Sequence, residues 1–88
     1  MIDVRKLDET TFEVTVKGRT ETTHRVTVDP AYYKKLTGGG ATPETLVAKS
    51  FEFLLDRESN TSILQTFDLP VIGRYFPEYE SVIRDQLK

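Results

Sequence analysis

Hydrophobic and polar residues alternate strictly through the first third of the chain. Phe12, Val14 and Val16 are interleaved with Glu13, Thr15 and Lys17, and Val26 and Val28 with Arg25 and Thr27. A period of two marks strands that bury one face, because successive side chains of extended backbone point to opposite sides. Lys17-Gly18-Arg19 separates the two runs, and a glycine there accepts φ > 0 without a Cβ clash, so the spacing predicts a hairpin. Ile2 and Val4 make a shorter alternating run ahead of the polar Leu7-Asp8-Glu9-Thr10 segment. A further strand, first in sequence, then completes an antiparallel meander.

From Asp29 onward the pattern is helical. Asp29-Pro30 is a start signal: the carboxylate accepts an orphan backbone N–H, and proline loses nothing at the first helical position. The helix it opens is predicted to run to about Leu36, where Gly38-Gly39-Gly40 stops it. Thr42-Pro43 repeats the signal for a main helix from Pro43 to about Glu58. In projection, Leu46, Val47, Ala48, Phe51, Phe53, Leu54 and Leu55 cover a wide arc, leaving a narrow polar edge of Thr45, Lys49, Glu52 and Asp56. Burial on more than one side is expected. Beyond the polar Arg57–Thr61 stretch, Ser62 and Gln65 read as a capping box for a short helix ending near Phe67. Val71 to Phe76 forms another short helix, and Pro77 opens a last one to about Leu87, with Tyr79, Val82, Ile83 and Leu87 on one face.

Strands first and helices after give an α+β fold, a three-stranded antiparallel meander followed by a central helix and short C-terminal helices. Eighty-eight residues suit a single domain, 1–88, since two cores of half that size would bury too little apolar surface.

Three segments, Ser50-Phe51-Glu52-Phe53-Leu54-Leu55-Asp56-Arg57-Glu58, Ile63-Leu64-Gln65-Thr66-Phe67-Asp68-Leu69 and Tyr75-Phe76-Pro77-Glu78-Tyr79, resemble a pattern in short, functionally uncharacterised prokaryotic proteins. The resemblance covers roughly the second half of the chain and implies no activity or site residues.

Composition narrows the chemistry. With no cysteine, disulfides, thiolate nucleophiles and cysteine metal sites are all excluded. A net charge of −2 provides no global attraction for nucleic acid or anionic lipid. No apolar run is long enough to span a bilayer, and Met1-Ile2-Asp3-Val4-Arg5-Lys6 lacks the features of a secretory leader, so a cytoplasmic location is expected with no membrane partner.

The candidates for chemistry each lack a partner. His24, the only histidine, falls in phase with Val26 and Val28 on the core side of its strand. A metal site needs three or four ligands and general-base catalysis needs an orienting group, so it reads as a backbone-bonded structural residue, partly buried or at the sheet edge. Its removal is then expected to have a modest effect on stability. The glycine triplet follows a helix rather than a strand and precedes no Gly-Lys-Ser/Thr, which makes it a connector rather than a phosphate loop. Glu52 and Asp56 lie one turn apart with Lys49 on the same edge, as a solvated charged face does. Ser50, Ser59 and Ser62 have no adjacent base. No catalytic, cofactor-binding or metal-binding set is therefore expected, and the chain is not read as an enzyme.

Association remains. Tyr75, Phe76 and Tyr79 flank Pro77, and with Arg74 they form the candidate interaction surface, for an unknown protein partner or for self-association. The competing reading is that these rings close the core over Phe51 and Leu55. The main alternative function is a DNA- or RNA-binding regulator acting through the C-terminal helices: the pieces 62–67 and 71–76 distantly resemble a helix-turn-helix, with Arg74 in the second. Phosphate contacts would then have to come from Lys34, Lys35, Arg84 or Lys88.

Overall fold

The computed structural model describes residues 1–87. The elements in order are β1 (Ile2–Lys6), β2 (Thr11–Val16), β3 (Thr22–Thr27), α1 (Pro30–Thr37), α2 (Pro43–Leu55), a 3₁₀ turn (Asn60–Ser62), β4 (Thr66–Asp68), α3 (Val71–Tyr75) and α4 (Tyr79–Gln86). The expected meander is present as β1-β2-β3, antiparallel throughout. The sheet is nonetheless mixed and four-stranded, because β4 joins β3 in parallel.

Register sets which side chains meet. Lys6, Phe12, Val26 and Phe67 stand side by side across all four strands, and Val4, Val14 and His24 form the next row. This face carries the buried residues of β2 and β3 and is covered by helices. The opposite face carries Thr11, Glu13, Thr15, Thr23 and Arg25, a polar surface of the kind an antiparallel sheet can leave in water. The connection after β2 is longer than a tight hairpin, spanning Lys17–Glu21, and Gly18 does not adopt the positive φ expected of it.

Both helix starts form as the chain implies. Asp29 accepts the N–H groups of Ala31 and Tyr32, and Thr42 accepts that of Thr45. Gly38 ends α1 at φ 66°, a left-handed cap that residues bearing a Cβ adopt at a cost, with its N–H on the Lys34 carbonyl. Helix α2 stops at Leu55, short of Glu58, where the N–H groups of Arg57 and Glu58 both close back on the Leu54 carbonyl.

Helix α2 is buried on two sides because its large rings point in opposite directions. Phe51 faces the sheet, with its ring centroid 5.4 Å from that of His24 and 6.0 Å from that of Phe67. Phe53 lies 200° further round an ideal helix, roughly opposite, and meets Phe76 and Tyr79 edge-on at 5.8 and 5.3 Å. Helices α1 and α4 pack against each other beside it. The Tyr32 hydroxyl donates to Glu80 at 2.9 Å, and Lys35 approaches the same carboxylate at 3.4 Å.

The segment after α2 departs most from expectation. In place of a helix over 62–67 there is a 3₁₀ turn, an extended stretch and β4. The cause lies in where its carbonyls bond. In a helix the Leu64 and Gln65 carbonyls would accept from Asp68 and Leu69. Here the Leu64 carbonyl accepts from His24 Nδ1 at 2.8 Å and the Gln65 carbonyl from the Arg25 N–H at 2.7 Å. Leu69 donates instead to Thr27, at 2.9 Å. Strand β3 has thereby taken up both helical bonds, the first at its acceptor and the second at acceptor and donor alike. The helix-turn-helix resemblance loses its first helix with this change.

Candidate functional site

A groove opens where the end of α2, the extended 62–64 segment, β4 and α3 converge. Leu54, Phe67 and Ile72 are buried in its floor, Ile63 and Val71 line its sides, and Leu64, Tyr75 and Phe76 form the rim, with Glu58 and Ser62 as its polar lining. Its volume is about 290 Å³. Leu64 is 49 % exposed and Tyr75 67 %, so an apolar hollow is bordered by two large apolar side chains that folding has not covered. Such a continuous patch on a small domain costs solvation and is characteristic of contact surfaces.

The rim is held by interactions outside the groove. His24 is 1 % exposed, so both ring nitrogens depend on the protein for their partners. The Leu64 carbonyl can only accept, so Nδ1 carries the hydrogen, and Nε2 at 2.8 Å from Thr22 Oγ1 accepts the Thr22 hydroxyl hydrogen in the neutral ring. Asn60 Nδ2 donates to the same Thr22 oxygen at 3.0 Å and to the Thr20 carbonyl at 2.7 Å. The chain leaving α2 is thereby tied to β3 at both Asn60 and Leu64.

The opposite wall is fixed through Arg57. Its guanidinium carbon lies 3.6 Å from the Phe53 ring centroid and 6.0 Å from that of Phe76, while Nη1 donates to the Phe53 carbonyl at 3.2 Å and Nε to Glu78 at 3.3 Å. The cation thus spans two rings, with its ion pair on the outer side.

The four residues expected to form one surface separate. Tyr75 is exposed and Phe76 half-buried, and both line the groove. Arg74 is exposed beside them but outside the lining. Tyr79 corrects the expectation: it is fully buried, with its hydroxyl 2.6 Å from Ser50 Oγ. Ser50 spends its hydrogen on the Leu46 carbonyl at 2.7 Å, so Tyr79 is the donor. A buried tyrosine needs a partner for its hydroxyl, and Ser50 supplies one inside the core. Burial holds the Tyr79 phenol well above its ordinary pKa of 10.0.

Ile63, Leu64, Phe67, Val71, Leu54, Ile72, Glu58 and Ser62 were not expected in a site. The signal was adjacency: Ile63-Leu64 and Tyr75-Phe76 are paired apolar neighbours, and extended or terminal backbone cannot bury both members of such a pair.

The remaining candidates fall elsewhere. His24 is buried more deeply than a partly covered or edge position implies, since β4 closes that side of β3. Glu52 and Asp56 line a second, more open hollow of about 490 Å³ with Met1, Ile2, Ala48, Leu55 and Gln86, and Glu52 pairs with Lys49 at 3.8 Å. Among the described residues no group of three histidine, aspartate or glutamate side chains converges. Lys34, Lys35 and Arg84 lie on α1 and α4, with Glu80 between them pairing Lys35, and Lys88 is outside the described residues. No helix among the described residues is long and apolar enough to cross a membrane. No protein-family model, curated protein or solved structure matches this chain.

Proposed function

We propose that this chain works by association, as a protein-interaction or regulatory module, and that the groove between α2, β4 and α3 is its contact surface. The observation that carries the reading is the exposure of Leu64 and Tyr75 on either side of a hollow floored by Leu54, Phe67 and Ile72. Aromatic and branched side chains around a preformed depression supply contact area at low entropic cost. The acidic Glu58 within the lining, and the interspersion of Glu80 among Lys35 and its neighbours, favour a protein over a polyphosphate backbone. A photo-crosslinking amino acid placed at Tyr75, at Leu64 and, for comparison, at the exposed Glu44 in the first turn of α2, at the other end of that helix from the groove, tests this in cells. Discrete protein adducts at Tyr75 and Leu64 and none at Glu44 are expected. The same adducts from all three positions, or adducts to nucleic acid, would remove the proposal.

A further inference from the structure

The groove has a second property, visible in the backbone. Arg25 donates to the Gln65 carbonyl and Leu69 donates to the Thr27 carbonyl, so the ladder groups of Gln65, Phe67 and Leu69 face β3. The alternation of extended backbone turns the N–H and C=O groups of Thr66 and Asp68 the other way. Among the described residues no backbone hydrogen bond reaches them from that side. Strand β4 is the end of the sheet, and its free edge runs beside the apolar hollow.

The two features share one register. Phe67 points to the helix side and forms part of the groove floor, while Thr66 and Asp68 point to the polar face. A strand laid against β4 places the residue opposite Phe67 over the groove and the residue opposite Asp68 beside that carboxylate. Neither Asp68 nor Glu58 has an ion-pair partner among the described residues.

We infer that β4 accepts an extended segment of another protein as a fifth strand, with apolar side chains in phase with Phe67 and a lysine or arginine opposite Asp68. This inference rests on the groove being a contact surface and names the chemistry of its occupant. Main-chain bonds to an open edge supply affinity and alternate side chains supply selection. A second copy fits less well. Its own open edges, β1 and β4, have their apolar residues Ile2, Val4 and Phe67 already packed on its core, leaving nothing to enter the groove.

The test uses the full chain and a labelled, end-capped heptapeptide with valine at alternate positions and lysine and threonine between them. Binding by fluorescence polarisation is expected, with slowed hydrogen exchange at the Thr66 and Asp68 amides. N-methylation on one backbone edge of the peptide is expected to weaken binding at least about fivefold, and on the other edge hardly at all. Asp68→Lys, a change at an exposed position, is expected to shift preference to the same peptide with glutamate in place of lysine. Failure of both peptides to bind at millimolar concentration overturns the inference. So does binding that leaves the Thr66 and Asp68 amides unprotected or tolerates methylation on either edge, although crosslinking at Tyr75 would then still support a contact surface. Protection of the two amides that grows with protein concentration alone would identify the occupant as a second copy and overturn it also.

Discussion

His24 Nδ1 lies 2.8 Å from the carbonyl oxygen of Leu64, 40 residues later in the chain, and this contact holds the rim of the groove against the sheet. It satisfies a backbone acceptor that a helix would otherwise have used, with a ring that folding has buried. The expectation of a modest role for this histidine therefore changes. His24→Ala removes a fully buried ring packed on Phe51 and leaves a carbonyl without its donor. A loss of roughly 2–4 kcal/mol is expected in urea denaturation. Exchange at the Arg25 amide, which bonds to Gln65, should quicken with it.

Tyr79 links stability to alkaline pH. Its phenol is raised by burial, so the folded state keeps the proton where the unfolded chain, near 10.0, releases it. The contribution is whole below pH 10 and is lost as pH rises from there toward the folded value, at about 1.4 kcal/mol per pH unit for one such group. Denaturation at stepped pH should show this fall, and Tyr79→Phe should flatten it. Tyr32, also raised by burial and by its bond to Glu80, will leave a residual slope. At neutral pH Tyr79→Phe is expected to cost about 1 kcal/mol, the bond to Ser50.

Adjacent residues of the groove should behave differently. Tyr75→Ala removes an exposed ring and is expected to change stability by no more than about 0.5 kcal/mol. Phe76→Ala removes a contact with Phe53 and the outer ring beneath Arg57 and is expected to cost roughly 2–4 kcal/mol. Parallel chemical denaturation of the two variants checks the contrast. Equal losses would mean that Tyr75 is part of the core.

Arg57 should resist substitution by charge alone. Its guanidinium lies on Phe53 and donates to the Phe53 carbonyl, whereas Glu78 is half exposed. Arg57→Lys is expected to cost about 1–2 kcal/mol and Glu78→Gln less than about 0.5 kcal/mol, because an exposed ion pair is screened and a planar cation on a ring is not replaced by an ammonium. Thermal denaturation in low and high salt separates the contributions.

What could be read from the chain follows how local each cause is. Phe12, Val14 and Val16 state their own strand, and Asp29, Thr42 and Gly38 carry their helix boundaries in their own side chains or conformational freedom. Strand β4 has only Thr66-Phe67-Asp68 to declare it. Ile63, Leu64 and Phe67 have spacing compatible with a helix, and the deciding partners are His24, Arg25 and Thr27, distant in sequence. Tyr75, Phe76 and Tyr79 were legible as an aromatic cluster. Which of them faces water is decided by Ser50 and Arg57, each more than one element away.

The parallel pairing of β4 with β3 also predicts an order of assembly. The first three strands close through short connections, but β4 returns to the sheet only after the chain has passed through α1, α2 and the 3₁₀ turn. Closing so long a loop is slow relative to forming hairpins, and it gains its contacts only once Phe51 is in place to receive Phe67. Until then the ladder groups of Arg25 and Thr27 form an unguarded sheet edge, the kind through which incomplete chains join one another. Aggregation of newly made chains is accordingly expected to be greatest before β4 docks, and destabilising the His24–Leu64 contact should increase it.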